Sequence, residues 1–264
     1  MFTWLLELFK IPETRDLTNT EDIDDIQTTV LHRNIIKKKH FLYKLFQEHY
    51  SIFKKNIEDI PDGLKIELGS GGGFLKEVIN DVVTSDVLEL PDVDKVIFAE
   101  KIPYPDKSVA AFFLLGTLHH IKEPEKFFSE INRCMKPGGK IIMIEPANTL
   151  FSRFFFKYIH HEQFDEKKDD WKVEGKGRLG DANLAIPWII FIRDREKFLK
   201  KYPELEIFQI KKHTPFRWFL SGGLSYRQFV PSASFGLFTG IEKLLSPFSN
   251  TLGSFMTIVL KKSK

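Results

Sequence analysis

Residues 64–74 read Leu-Lys-Ile-Glu-Leu-Gly-Ser-Gly-Gly-Gly-Phe and decide which fold the chain adopts. Apolar side chains at every second position from Leu64 to Leu68 predict a buried strand, and four glycines follow within five positions. Apolar side chains then recur at helical spacing, which predicts a helix to about residue 81. Because glycine has no Cβ and the first N–H groups of a helix are unpaired, a ligand can lie against this loop. The pattern predicts a strand, a glycine loop and a helix around a nucleoside-containing cofactor.

The acid that precedes the glycines distinguishes between nucleoside cofactors. A dinucleotide site requires G-x-G-x-x-G, and Phe74 stands where the third glycine of that motif should be. No Gly-Lys-Ser or Gly-Lys-Thr follows, so the loop is not a P-loop. Glu67 would repel a pyrophosphate but attract the ammonium group of an amino acid. The run Glu-Leu-Gly-Ser-Gly-Gly-Gly resembles the first motif of class I S-adenosylmethionine (SAM) methyltransferases, and the alternative is a simple tight turn between strand and helix.

Four later stretches resemble the same family. Asp86 ends a predicted second strand close to the spacing at which an acid binds ribose hydroxyls, although it could instead cap a turn. Residues 99–108 resemble the family segment Asp-Ala-x-x-Leu-Pro-Phe-x-Asp-x-Ser, but Phe98 replaces the acid that often binds the adenine amino group. Residues 118–121, Leu-His-His-Ile, resemble type 11 methyltransferases and their quinone-biosynthesis relatives. The Lys-Pro-Gly-Gly turn at 136–139 completes the match.

The chain is therefore identified as a member of the class I methyltransferases, in the type 11 domain family, and this resemblance implies a fold and a site. The fold would be α/β, a Rossmann-like doubly wound sheet of seven mainly parallel strands, the last antiparallel, with helices on both faces. SAM would be the cofactor, and the protein would be an enzyme that transfers its methyl group. The implied cofactor-binding residues are Glu67 for the methionine ammonium, Asp86 for the ribose, Ala99 and Glu100 beside the adenine, and Gly69, Ser70, Gly71 and Gly116 along the backbone.

Histidines and an acid supply the candidates for catalysis and for acceptor binding. Two adjacent histidines cannot both face one ligand in a helix, so we expect His119 to line the site. The long segment after the fifth strand adds His160, His161 and Glu162, for which surface positions on a cap helix are the alternative. We predict His119 and His160 as catalytic if the acceptor is a hydroxyl or a similar acid, and His120, His161 and Glu162 as substrate-binding. No metal site is predicted, because a histidine ligand would need further ligands at suitable spacing.

Composition excludes several other classes of protein. The net charge is only +3, and no basic run is interleaved with aromatic residues, so no nucleic-acid partner is expected. The single cysteine, Cys134, excludes an intramolecular disulfide and a cysteine-based zinc cluster, and it is typical of a reducing cytoplasm. We expect a small-molecule acceptor, hydrophobic or lipid-linked, because the inserted segments are apolar. The 26 phenylalanines point the same way, although a bias of the genome explains them equally well.

The predicted organisation is an N-terminal helical extension over residues 1–60 and a SAM-binding domain over 61–264, with cap segments at about 147–190 and 214–250. No run of roughly 18 apolar residues exists, so no membrane span is expected, and residues 1–11 lack the features of a signal peptide. That segment could form an amphipathic helix that lies on a membrane or packs on the domain, and the acidic residues 13–25 favour packing or a lid over the site. We predict a cytoplasmic protein, with peripheral contact at the inner face of the membrane as an open alternative.

Two rival functions stay open at this stage. One is a nicotinamide-dependent (NAD(P)-binding) oxidoreductase, which Phe74 disfavours. The other is a methyltransferase-like scaffold that has lost catalysis, and only the replacement at Phe98 supports it. Binding of SAM would argue against the first rival, and intact turnover would remove the second.

Overall fold

One sheet carries all seven predicted strands in this computed structural model, which describes residues 9–14, 25–160, 162–175, 177 and 181–263. The strands are β1 (Leu64–Leu68), β2 (Val82–Asp86), β3 (Lys95–Val96), β4 (Val109–Leu115), β5 (Met135–Pro146), β6 (Leu205–His213) and β7 (Phe255–Lys262). Their order in the sheet is β3-β2-β1-β4-β5-β7-β6. Strands β1 to β5 pair in parallel, and β7 is antiparallel to both β5 and β6. The predicted fold class is confirmed.

Helices cover both faces of the sheet. They are α1 (Ile26–Lys38), α2 (His40–Asn56), α3 (Pro124–Cys134), α4 (Leu150–Tyr158), α5 (Ile186–Trp188), α6 (Arg195–Lys201), α7 (Arg217–Ser221), α8 (Phe235–Leu244) and α9 (Ser249–Leu252). A π-helical turn, Ile189–Arg193, continues α5. Helices α1 and α2 lie within residues 1–60, and the division into an extension and a domain stays a prediction.

Strand alternation sorts the core into two layers and decides where Glu67 points. Ile66 packs in one hydrophobic cluster with Phe127 and Phe128 of α3. Strand residues at the alternate positions face the other side of the sheet, where Phe113 of β4 packs with helix α2. Successive side chains of a strand point to opposite faces, so Glu67 faces the α2 side of the sheet. The burial of β4 on both faces explains its uninterrupted apolar sequence.

The predicted helix after the glycine loop is wrong in extent. Only a short 3-10 turn, Leu75–Glu77, follows the loop before β2 begins at Val82. Phe74 has φ −145° and ψ 38°, outside the helical region, and its N–H donates to the Tyr50 hydroxyl of α2 at 3.1 Å. The apolar periodicity instead reflects side chains buried beneath α2. A ligand at this loop is therefore met by the loop backbone and not by a helix N-terminus.

Two expectations about the N-terminus fall largely outside the described residues. Residues 1–8 and 15–24 hold most of the predicted amphipathic segment and most of the acidic segment, so neither interpretation is tested. Residues 9–14 of this region are described, and among them Lys10 bridges Tyr226 in the second inserted segment. Within the part of the chain that the structure covers, no helix has the length and apolarity needed to cross a bilayer.

Candidate cofactor and active site

Glu67 is buried at the carboxyl end of β1, beside the glycine loop. Its Oε2 accepts a hydrogen bond of 2.7 Å from the Ser70 hydroxyl, which in turn accepts from the N–H of Ser85. Burial, together with the nearby charge of Asp86, raises the pKa of Glu67 to about 7. No ion pair to Glu67 is found among the described residues. A buried carboxylate of this kind favours a cationic ligand, because the unpaired charge is costly in an apolar surrounding.

Asp86 lies on the other side of the loop, at the end of β2. Its Oδ2 accepts from the N–H of Gly71 at 2.9 Å, and its Oδ1 accepts from the N–H of Leu88 at 3.1 Å. Gly69 and Gly71 both have positive φ, +69° and +50°. A Cβ built on Gly71 would meet no atom within 4 Å, so this part of the loop faces open space. The acid and the loop are therefore neighbours at the carboxyl ends of β1 and β2, beside open space at Gly71.

The segment predicted to flank adenine is adjacent to Asp86. The N–H of Ile97 donates to the Asp86 carbonyl at 2.9 Å, which holds the chain after β3 beside the end of β2. Ala99 is buried, Glu100 is half-buried, and the ring of Phe98 is 48% exposed. An exposed ring next to a nucleoside crevice is suited to stacking on a base. The adenine contacts themselves stay predictions.

The turn after β4 touches the glycine loop. Gly116 has φ +64°, and its N–H donates to the Ile144 carbonyl of β5. A Cβ built on Gly69 would lie 2.4 Å from the Cγ2 of Thr117, so the Thr117 side chain lies directly against the glycine loop. The carboxyl ends of β1, β2 and β4 thus meet at one edge of the sheet, which is where open α/β sheets bind ligands.

Glu145 is a site residue that the sequence analysis missed. It is fully buried near the end of β5, and its Oε1 accepts from the N–H groups of Thr117 (2.9 Å) and Leu118 (2.7 Å). Its Oε2 lies 2.7 Å from the Nδ1 of His119. The available signal was an acid at the carboxyl end of a buried strand, a position that in this fold faces the site. Glu145 therefore holds the post-β4 turn and fixes the ring of His119.

His119, His120 and His160 surround one carboxylate, that of Glu162. The Nε2 of His119 lies 3.6 Å from Oε2, and the Nε2 of His120 lies 3.6 Å from Oε1. The Nδ1 of His160 is 3.7 Å from Oε2. The expectation that adjacent histidines cannot face one ligand is wrong, because a tight 3-10 turn brings their ring centroids to 4.2 Å and Glu162 reaches both. His161, the remaining predicted member, lies outside the described residues.

Electrostatics distinguish the two adjacent histidines. Burial alone would lower the pKa of His119, but the charges and hydrogen bonds of Glu145 and Glu162 overcome it and raise that pKa to about 9. Burial and the neighbouring His119 lower the pKa of His120 to about 4. Burial opposes ionisation of Glu162, yet the surrounding histidines hold its pKa well below its usual range. At neutral pH His119 is consequently a proton donor, and His120 is neutral.

Comparison with known proteins adds independent information. Residues 66–143 match the family model described as "Methyltransferase domain". An "uncharacterized protein" of Methanocaldococcus jannaschii is 32% identical over 112 residues, which is 38% of this chain and 55% of that protein. A demethylmenaquinone methyltransferase of Renibacterium salmoninarum is 32% identical over 72 residues, 27% of this chain and 30% of that protein. The chain thus spans less than two thirds of these relatives.

A solved structure described as a SAM dependent methyltransferase from Archaeoglobus fulgidus aligns over 82% of this chain and 94% of that chain. The identity is 15% and the TM-score 0.49.

The family match over residues 66–143 defines the class of that part of the chain, and the sheet order agrees with it. The chain carries a class I, SAM-dependent methyltransferase domain over residues 66–143, and SAM is the cofactor of that class. The predicted class and cofactor are confirmed in preference to a nicotinamide oxidoreductase.

Proposed function

We propose that the whole chain transfers the methyl group of SAM to a small, apolar or lipid-linked acceptor. The observation that carries the cofactor half of the proposal is the crevice between Glu67 and Asp86. The unpaired carboxylate of Glu67 would hold the methionine ammonium, and the free lone pairs of Asp86 would accept from the ribose hydroxyls. Gly71 leaves the backbone open to the cofactor between them.

The inserted segments at 147–190 and 214–250 would act as the cap over the acceptor. They pack on one another through aromatic rings, since Phe155 stacks on Phe219 at a centroid distance of 3.8 Å and Phe151 contacts Phe216 edge-on at 5.2 Å. A cap built from packed rings surrounds an apolar ligand better than a charged one. The similarity to a demethylmenaquinone methyltransferase supports the same class of acceptor.

An exposed apolar stripe on α4 supports delivery of that acceptor from a membrane surface. Leu150, Phe154 and Tyr158 recur every four residues, so they share one helix face, and they are 72%, 57% and 71% exposed. Helix α9 packs against α4, and Phe248 just before α9 is also exposed. Exposed aromatic and leucine side chains on one face are typical of helices that lie in a membrane interface.

Methyl transfer from a sulfonium requires in-line placement of the nucleophile, and much of the acceleration comes from that placement. A base is needed only where the acceptor must lose a proton. His119 is unsuited to that role at neutral pH because Glu145 and Glu162 keep it protonated. His119 would instead donate to an acceptor oxygen, whereas His120 is neutral but, with a pKa of about 4, only a weak base.

A label-transfer assay tests this function. The protein is incubated with methyl-labelled SAM and separate panels of prenylated quinols, prenyl diphosphates, catechols and amines, and the label is partitioned between organic and aqueous phases. We expect label in the organic phase with an apolar acceptor. Label only in water-soluble products would contradict an apolar acceptor, and SAM binding without transfer to any member would favour a catalytically inactive scaffold.

A further inference from the structure

The cluster formed by His119, His120 and Glu162 goes beyond what methyl transfer requires. One potential ligand atom from each residue lies within 4.8 Å of those of the other two. The three side chains are only 5%, 16% and 14% exposed. Two imidazoles and one carboxylate, held together in a buried position, form a ligand set that zinc and ferrous iron prefer.

We propose that His119, His120 and Glu162 form a binding site for a divalent transition metal ion of the zinc or ferrous type. Metal–ligand bonds of about 2.0 Å in a tetrahedron place ligand atoms about 3.3 Å apart. The two imidazole–carboxylate separations of 3.6 Å are therefore a few tenths of an ångström wider than a loaded site. The three ligand atoms together span up to 4.8 Å, so a loaded site requires the imidazoles as well as Glu162 to move inward, by up to about 1.5 Å.

The surroundings of His119 fit a metal ligand. Its Nδ1 lies 2.7 Å from the buried Oε2 of Glu145, which leaves Nε2 facing Glu162. Histidine ligands commonly donate their second ring N–H to a carboxylate, which fixes the tautomer and the ring orientation. Glu145 is itself held by two backbone N–H groups. The pair Glu145–His119 is thus a rigid half of the site, and Glu162 on the inserted segment is the other half.

The position of the cluster connects it to the cofactor crevice. A Cβ built on Gly116 would lie 3.8 Å from the Cε1 of His119, and Thr117 next to it contacts the glycine loop. Two histidines and one carboxylate leave coordination positions open for water or for an acceptor oxygen, as in catalytic rather than structural sites. Use of the metal for acceptor binding rests on the proposed function, whereas metal binding itself does not. A bound ion would displace the Nε2 proton of His119, so at the loaded site the ion and not His119 would contact the acceptor oxygen.

Metal titration of the full-length protein tests the site without using activity. The chain is stripped with a chelator, dialysed and titrated with Zn²⁺ by calorimetry and with Co²⁺ by visible absorption. We expect one equivalent to bind. Glu145→Gln removes a carboxylate that only supports a ligand, and such changes weaken metal binding about 10–100-fold. His120→Ala and Glu162→Gln remove ligands themselves, so each should weaken metal binding at least about 100-fold. His40→Ala, at an exposed histidine of α2, should bind as the wild type does.

Several results would overturn the proposal. One is that the wild type binds no metal. Another is that His120→Ala and Glu162→Gln bind metal as tightly as the wild type. The third is that His40→Ala loses as much affinity as these two variants, which indicates surface binding only. Circular dichroism and a separate SAM titration accompany every variant. A folded Glu162→Gln protein that binds SAM keeps the result interpretable if His120→Ala does not fold. Loss of SAM binding with metal binding intact would contradict the proposed function and not the metal site.

Discussion

The N–H of Gly71 donates to the Oδ2 of Asp86 across 2.9 Å, and this bond ties the glycine loop to the end of β2. Because β1 and β2 are neighbouring parallel strands, their carboxyl ends present the loop and the acid to the same crevice. The carboxylate retains lone pairs beyond the two backbone bonds that it accepts. Asp86 can therefore stabilise the loop and bind ribose at the same time.

Replacement of this acid should weaken SAM binding more than it weakens the fold. We expect Asp86→Asn to lower SAM affinity at least about tenfold, which corresponds to about 1.4 kcal/mol. The reason is loss of the charged acceptor for ribose hydroxyls and for the Gly71 N–H. Calorimetric titration measures the change. Asp81→Asn is the matched control, since Asp81 is an exposed acid just before β2 that pairs only with Lys65 among the described residues, and its affinity should not change.

Glu67 should make SAM binding depend on pH. Its pKa of about 7 means that part of the free protein carries a neutral Glu67 at neutral pH, whereas a bound ammonium requires the carboxylate. The affinity for SAM should therefore rise between pH 6 and pH 8, because Glu67 loses its proton around its pKa of about 7. Glu67→Gln should lower the affinity at pH 8 and flatten this dependence. An equal pH profile in the variant would show that Glu67 does not hold the ligand.

The same carboxyl should destabilise the ligand-free protein as pH rises. The folded protein binds a proton at Glu67 more tightly than the unfolded chain does, so stability is lost between the ordinary pKa of 4.5 and the folded value of about 7. The full loss is on the order of 3 kcal/mol. Urea unfolding of wild type and Glu67→Gln at pH 5 and pH 8 should show the variant gaining relative stability at pH 8. A constant difference at both pH values would contradict the raised pKa.

The two glycines of the loop should respond differently to an added methyl group. Gly69→Ala places a Cβ 2.4 Å from Thr117 Cγ2 at φ +69°, so it should destabilise the fold by more than about 2 kcal/mol. Gly71→Ala meets no atom within 4 Å and should cost only the left-handed conformation, about 1 kcal/mol. Its methyl group projects into the crevice, so SAM affinity should still fall. Thermal unfolding and calorimetry on both variants separate these effects, and tight SAM binding by Gly71→Ala would place the cofactor elsewhere.

The apolar stripe on α4 should bind membranes. Each large apolar side chain moved out of water contributes about 1.5–3 kcal/mol, so replacing Leu150, Phe154 and Tyr158 together by Ser should weaken vesicle binding at least about 100-fold. Co-sedimentation with phospholipid vesicles measures this. Phe208→Ser is the control, because Phe208 is 52% exposed on β6 and should not affect pelleting. Failure of the wild type to pellet would count against a membrane-delivered acceptor.

The proximity of Glu67, the glycine loop and Asp86 was predictable from sequence because these parts are local. Glu67, the glycines and Asp86 occupy strand ends whose spacing the chain itself specifies, and the alternation of apolar residues sets the sheet. The helix after the loop was predicted wrongly, since Phe74, Leu75 and Ile79 are buried against α2 and only tertiary structure brings α2 to that place. The apolar residues after the loop recur at helical spacing because they are buried under α2, and the sequence alone could not distinguish that burial from a helix.

The cluster around Glu162 was only partly predictable. The sequence singled out His119, His120 and Glu162 separately, but their meeting depends on how the insertion after β5 folds back over the turn after β4. Glu145 was missed because its acidic side chain looked like one more residue of a strand end. Its two N–H donors and its contact with His119 come from chain segments that only the fold brings together.

The most direct test of the account is calorimetric titration of the wild-type protein with SAM, its demethylated product and NAD⁺ in parallel. The crevice between Glu67 and Asp86 predicts one site for SAM and for its demethylated product with sub-millimolar dissociation constants, weakened in both Glu67→Gln and Asp86→Asn, and no binding of NAD⁺. Binding of NAD⁺ without SAM, or SAM binding that neither variant changes, would contradict it.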